Sequence, residues 1–313
     1  MSTPAFHVTS VRRIALALLG TTCGSLLAAS AEPPAAPAPV VTMAPVTSST
    51  SSVWNLPDFI DRLPDFLADR LPGLEPSGAV RLYVRPHFGD FLHRDYVRIP
   101  VGVRDKVSET IEINGEVESY VTHGLADAAG YGFSNFKLGV KREHVLPALG
   151  NGGLSIGINY QTPLSRPPMD LTDGHRHFQP YVAATHPFVP AWRVLGYYGF
   201  GADFLDRTVL PAHFGRNQLH SNSLTFGAGL AHEWRRFHGS LTATVATSAL
   251  MSDEARQVYS LRPEIVVPWK STSGSATQIL FTLGGRAIHG PDGNEFGVSG
   301  SMRVEFKLNR GAK

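Results

Sequence analysis

From about residue 80 to residue 308, apolar and polar side chains alternate with a period of two, in one segment after another of roughly ten residues. In 153–161, Leu154, Ile156, Ile158 and Tyr160 share one side, with Ser155, Gly157, Asn159 and Gln161 opposite. In 295–308, Phe296, Val298, Met302, Val304, Phe306 and Leu308 oppose Ser299, Ser301, Arg303, Glu305 and Lys307. Successive side chains of a strand point to opposite faces, so each segment reads as a strand with one apolar and one polar face. The pattern predicts twelve strands, at 80–90, 95–104, 110–122, 132–142, 153–162, 176–187, 192–205, 221–234, 239–249, 257–269, 277–288 and 295–308. So sustained an alternation excludes a mainly helical chain, and the 23 prolines point the same way. Beyond residue 31 no apolar run reaches the about 18 residues that a membrane-spanning helix requires.

The connections between these strands tend to alternate in length. Segments 105–109, 188–191, 235–238 and 270–276 are short or turn-like, while 123–131, 163–175 and 206–220 are long. The long set has shorter members at 91–94, 250–256 and 289–294, and 143–152 is too long for the short set to which it belongs.

Residues 1–31 read as a secretory signal peptide: Arg12 and Arg13 precede the mostly apolar run Ile14–Leu27, and Ala29-Ser30-Ala31 fits a small-x-small cleavage site. A lipoprotein signal at Cys23 is the competing reading, disfavoured because Thr22 stands where a smaller residue is expected. Cleavage after Ala31 leaves a chain without cysteine. It also removes the two arginines that account for the net charge of +2, so the basic balance implies no nucleic-acid partner. Residues 32–53 form a Pro/Ala/Ser/Thr-rich linker that cannot bury enough apolar surface to order itself. In 54–76, Leu56, Phe59, Ile60, Leu63, Phe66, Leu67, Leu71 and Leu74 recur at helical spacing, with Asp58, Asp61, Asp65 and Asp69 on the other side. This amphipathic helical segment reads first as a short helix capping one end of the following domain; the alternatives are an interfacial membrane helix, which the four aspartates disfavour, a partner-binding segment or a plug.

An even number of amphipathic strands, with mostly short turns on one side and longer loops on the other, resembles Gram-negative outer-membrane β-barrel proteins of the porin and transporter type. The resemblance covers residues 80–308 and is one of architecture, without a family-specific motif. It implies an all-β, antiparallel up-and-down transmembrane barrel of about 12 strands, with outer-membrane lipid and the barrel-assembly machinery as partners. Aromatic residues near predicted strand ends, Trp192, Phe204, Trp234, Tyr259 and Trp269, fit interfacial girdles. The chain departs from the usual pattern at its end, where 309–313 form a tail after Leu308 rather than an aromatic terminus. A secreted two-sheet sandwich also alternates, but its polar faces would meet bulk water and carry more Lys and Glu. Here many opposite-face positions are small, such as Thr242, Thr244 and Ser248.

With apolar faces toward lipid, the polar faces turn inward. The candidate lumen-lining residues are Arg81, Arg85, Arg98, Arg104, Glu112, Glu116, Glu118, Lys137 and Lys141, then Arg193, Asp203, Glu233, Arg262, Glu264, Arg286, Arg303, Glu305 and Lys307. The acidic ladder of the third strand, flanked by basic strands, allows cross-strand ion pairs. These charges either line an aqueous path that selects solutes or neutralise one another and fill the interior; twelve strands lie between a filled barrel and an open one. The inward glycines Gly157, Gly199, Gly201, Gly227, Gly229 and Gly284 favour some open volume.

No convincing catalytic centre, metal site or cofactor is expected. His220 and Ser221 are adjacent and face opposite ways on a strand, and His238 and Ser240 adjoin a turn. His175 and His177 share a strand face near Asp173 but lack an evident further ligand. The function expected is a small pore or transporter for small polar or amphiphilic solutes. The alternative is a non-conducting barrel with an envelope-structural, adhesive or lipid-modifying role.

Overall fold

The chain divides into two units, Met1–Ser52 and Val53–Lys313. The computed structural model describes residues 70–72, 77–88, 96–122, 130–147, 152–164, 173–189, 192–206, 217–234, 237–253, 255–269 and 277–309, all in the second unit.

Its strands are β1 (Ala79–Val84), β2 (His87–Phe88), β3 (Tyr96–Lys106), β4 (Ile111–Thr122), β5 (Tyr131–Leu146), β6 (Gly152–Pro163) and β7 (Arg176–Val189). They continue with β8 (Val194–Asp206), β9 (Ser223–Glu233), β10 (His238–Thr247), β11 (Gln257–Trp269), β12 (Thr277–Gly290) and β13 (Gly293–Asn309). Each strand from β3 to β13 pairs antiparallel with the next, and β1 pairs with both β13 and β3, so the sheet closes on itself. A closed sheet has no edge left to pair with another chain.

Strands β1 and β2 are two halves of one crossing. Pro86 carries no N–H and interrupts the ladder between them. The backbone bonds Arg85 N–H to Pro100 O (2.9 Å) and Met302 N–H to Pro86 O (3.1 Å) carry the pairing across the break. Counted this way the barrel has twelve crossings, the number the alternation predicts.

The outer surface is a band of exposed aliphatic side chains, among them Val101, Ile113, Leu138, Ile156, Ile158, Leu241, Ile265 and Leu283. Aromatic residues flank it at both ends. Phe188, Trp192, Trp234 and Trp269 stand at the short-turn end, with Trp234 and Phe237 stacked at 4.7 Å. At the other end are Tyr131, Phe133, Phe178, Phe204, Tyr259 and Phe296. Such a band would be costly against water and is stable against hydrocarbon, with aromatic rings at the two interfaces. The chain is a β-barrel of the outer-membrane type.

Two boundaries differ from the alternation. The run Arg142-Glu143-His144 looks like the polar end of a strand, yet β5 continues to Leu146 because Glu143 points inward to ion-pair partners while Arg142 is exposed outside. The connection expected at 143–152 therefore shrinks to 147–151 and joins the short set. At the opposite end, β12 and β13 run on until only Pro291 and Asp292 separate them. Most of the amphipathic segment 54–76, like the signal and linker, lies outside the described residues. Its described part, Arg70–Pro72, is a turn rather than helix.

Candidate functional site: the barrel interior

The inward faces of β13, β1, β3, β4 and β5 form one wall dense in charge. Register places Glu112 opposite Lys141 and Glu116 opposite Lys137. Lys141 Nζ lies 3.1 Å from Glu112 and 3.0 Å from Glu143, while Lys106 also pairs with Glu143. Glu116 gathers three donors: Lys137 at 3.0 Å, Arg85 at 3.1 Å and the Tyr83 hydroxyl at 2.9 Å. Glu118 accepts from Ser134 Oγ at 2.7 Å and lies 3.7 Å from Arg98. Arg81 donates to Glu305 at 2.9 Å, and Arg303 stands 3.7 Å from the same carboxylate.

Arg81, Glu112, Lys141, Glu143 and Glu305 are all but inaccessible. Burying an ion costs several kcal/mol unless partners satisfy it, and here Glu116, Glu143 and Glu305 are each shared by cations from two strands, while Glu112 pairs with Lys141. Such a wall fastens strands together and fills space.

Arg104 stands on the same wall, 5.4 Å from the Tyr83 ring centre, and register sets Lys307 opposite Arg81; several other expected lining residues lie apart. Asp203 of β8 accepts from Gln179 Nε2 at 2.9 Å, and Gln179 Oε1 is 3.3 Å from Arg70. The His177 ring sits between two carboxylates, with Nε2 3.0 Å from Asp173 and Nδ1 3.0 Å from Asp203. Burial opposes the Asp173 charge, but His177 outweighs it and holds the carboxyl below the usual carboxylate range. Arg262 and Glu264 lie 3.8 Å apart on β11, Arg286 is half-buried on β12, and Lys307 is half-buried near the end of β13. Arg193, expected on a strand, occupies the turn before β8 at a φ of 53°. It is exposed at the rim, 3.4 Å from Glu233. Among the described residues no group of three or more His, Cys, Asp and Glu side chains is placed to hold a metal ion.

From β6 to β12 the inward wall is mostly small or uncharged, and here the expectation that glycine marks open volume needs correction. A Cβ on Gly157 would stand 2.6 Å from the Tyr181 hydroxyl, and one on Gly229 would stand 2.3 Å from the Tyr197 ring. Tyr83 covers Gly102 of the charged wall in the same manner. These glycines are seats for tyrosine rings that lie flat on the next strand, not open space. Tyr197 is fixed further by its hydroxyl, 2.6 Å from Thr242 Oγ1.

The cross-strand pair Gly199 and Gly227 is different. Among the described residues, a Cβ on Gly199 would meet nothing nearer than 4.0 Å, and one on Gly227 would make only an ordinary contact with Thr244 at 3.4 Å. Among the described residues, the inward wall is least covered beside Gly199 and Gly227, next to Thr225 and Thr244. Toward the short-turn end the same wall turns apolar: Leu195, Ala231, Val266 and Leu280 point inward, each 3% exposed or less.

Several contributors escaped the alternation reading. Lys106 and Glu143 each lie just past a predicted strand end, two residues beyond inward Arg104 and Lys141, so extending the parity would have found them. Arg70 and Leu71 carried no such signal. The Lys141 ammonium donates to the Leu71 carbonyl at 2.9 Å, Ser155 Oγ donates to the Arg70 carbonyl, and the Arg70 guanidinium stands 5.6 Å from the Tyr181 ring centre. All three partners face inward, so this turn sits inside the barrel.

No family model matches the chain, and no curated protein matches it in sequence. Among solved structures it is similar to the KdgM porin, with a TM-score of 0.46 and 7% identity, covering 73% of this chain and 99% of that one. It is similar to the NanC porin, with a TM-score of 0.46, 12% identity, and coverage of 72% and 100%. An outer membrane channel from Pseudomonas putida F1 gives a TM-score of 0.46, 11% identity, and coverage of 75% and 97%.

Proposed function

We propose that the chain is a narrow channel in the outer membrane of a Gram-negative bacterium, passing small polar or amphiphilic solutes along the sparsely charged side of its interior. The observation that carries this reading is the glycine pair Gly199–Gly227, uncovered among the described residues and bordered by Thr225 and Thr244, in a barrel where Gly157 and Gly229 hold tyrosine rings and Gly284 meets the Glu264 side chain. Small hydroxyl-bearing side chains supply hydrogen bonds to a passing solute without the strong binding that would arrest it. Arg98, one of the more accessible cations of the opposite wall, is set to bias passage toward anions. The signal peptide, girdle aromatics and closed sheet accord with insertion by the assembly machinery into lipid. No catalytic role is proposed for the chain.

A non-conducting structural barrel is favoured by one observation, the buried ion-pair wall that fills part of the lumen. Single-channel recording separates the two. Refolded residues 32–313, with and without residues 54–69, are placed in a planar bilayer under a salt gradient, with a heat-modifiable gel shift as folding control. Discrete steps whose reversal potential moves toward cation preference in Arg98→Glu are expected. Silence from both folded forms would leave the structural barrel as the better reading.

A further inference from the structure

The lipid-facing band is not evenly filled. On its outer side, from β9 to β13, lies a depression of about 680 Å³, within the about 300–1,000 Å³ typical of ligand pockets. We propose that this depression is a binding site for one acyl chain of a glycerophospholipid, whose polar end lies beside His232 and Trp234 at the short-turn girdle.

The depression follows from which side chains the register brings together. Leu230 stands opposite Leu241, Leu241 opposite Pro263, and Gly285 opposite Val298. Pro263 and Gly285 carry no long side chain and form the floor. A Cβ on Gly285 would meet, among the described residues, nothing nearer than Pro263 Cγ at 3.6 Å. Leu241, Ile265, Leu283 and Val298 stand up around that floor, each 46% exposed or more. Lipid tails are as apolar as these side chains, so what holds a chain here is the extra van der Waals contact that a concave surface gives and a convex one does not.

The course of the depression suits an acyl chain. Leu241 lies four residues from Phe237 of the turn, Gly285 eight from the start of β12 and Val298 eleven from the end of β13. The depression therefore leads away from the girdle into the apolar band, as a row across tilted strands does. Five strands about 4.8 Å apart make it roughly 19 Å long, against the roughly 15 Å depth of one hydrocarbon leaflet. Short turns of such barrels face the periplasm, so the leaflet concerned is the periplasmic one.

Polar chemistry sits at the girdle end alone. The outward side chains that line the depression are apolar apart from His232 and the indole of Trp234. The two rings pack edge to face with centres 4.2 Å apart, and His232 Nδ1 has no hydrogen-bond partner among the described residues. With no described group fixing its tautomer, the imidazole is free to donate to an ester or phosphate oxygen at this level. A second copy of the chain is the other candidate occupant. The depression is continuous with the band that already meets lipid, and its outward lining offers a partner chain no charged side chain to pair with, whereas methylenes need only contact.

This inference rests on the lipid-facing band and not on the passage of solute. The full-length chain is expressed, extracted from outer membranes in detergent and titrated with palmitoyl-oleoyl phosphatidylethanolamine. Native mass spectrometry counts bound lipid per barrel, with the gel shift as folding control. Gly285→Leu fills the floor, and Val298→Trp fills the depression from its side through a position that is already exposed. Gly115→Leu on β4 is the control, an uncovered glycine that register sets between the exposed Val103 and Leu138.

The unaltered chain and Gly115→Leu are expected to retain one lipid per barrel, at least about tenfold more tightly than either filled variant that folds and several-fold more tightly than His232→Leu. Retention unchanged by filling the floor, or unchanged in His232→Leu, would overturn the proposal. A dimer that the filled variants abolish would also overturn it, by giving the depression to a second copy.

Discussion

The two halves of the barrel interior solve the same problem in opposite ways. From β13 through β5 the wall is built of Arg, Lys and Glu locked in pairs, whereas from β6 to β12 it is built largely of Gly, Thr, Ser and a few apolar side chains. On the charged side the inward groups hold each other, as Glu116 holds Arg85, Lys137 and the Tyr83 hydroxyl. On the sparsely charged side tyrosine rings rest on glycines, and one glycine pair is left uncovered among the described residues. Charge in this lumen is thus chiefly a fastening, while the least covered glycines lie where charge is sparse. A lining residue here is not automatically a selectivity residue.

The largest effect that would sharpen this contrast is at Glu116. Glu116→Gln keeps the shape and removes the carboxylate that three donors share, and it should lower stability by about 3–5 kcal/mol, as breaking a buried ion pair does. The midpoint of urea unfolding, read by the gel shift, checks it; a loss no larger than a surface substitution would mean the wall is wetter than its burial implies.

Next come the two faces of the sheet. Ile158→Arg puts a charge on the lipid side and should cost about 2–4 kcal/mol near the membrane midplane, while inward Thr244→Arg should cost less than about 1 kcal/mol. Equal losses in the same unfolding assay would contradict the assigned faces.

Smaller still is the difference between covered and uncovered glycines. Gly229→Ala forces a methyl into the Tyr197 ring and should cost about 1–3 kcal/mol, as overpacking does. Gly227→Ala meets only ordinary contact and should be neutral or stabilising by up to about 1 kcal/mol. Thermal midpoints of the two refolded variants compare them directly.

The fold was legible because period-two alternation is local. Each of the twelve crossings announces itself over ten or so residues, and aromatic residues such as Trp234 and Tyr259 mark the ends. Boundaries blurred where charge served packing. Glu143 reads as the end of a strand, yet its partners Lys106 and Lys141 keep β5 going. Arg193 reads as inward by parity, but the chain turns before β8 begins and leaves it at the rim.

The arrangement of the interior was less accessible, because it depends on register and on contacts distant in sequence. Nothing near Gly229 says that Tyr197 will lie on it while Gly227, two residues away, stays open. Nothing near Leu71 says that Lys141 will reach its carbonyl. Only the closing of the sheet brings these groups together.

The central claim is that passage, where the barrel has room for it, follows the sparsely charged wall. Single-channel conductance of Gly227→Trp against the unaltered chain, both confirmed folded, tests it most directly. A large side chain at this glycine pair, uncovered among the described residues, should cut the unit conductance several-fold while leaving the unfolding midpoint nearly unchanged. Conductance steps of equal size in the two proteins would contradict the account and place the path elsewhere in the barrel.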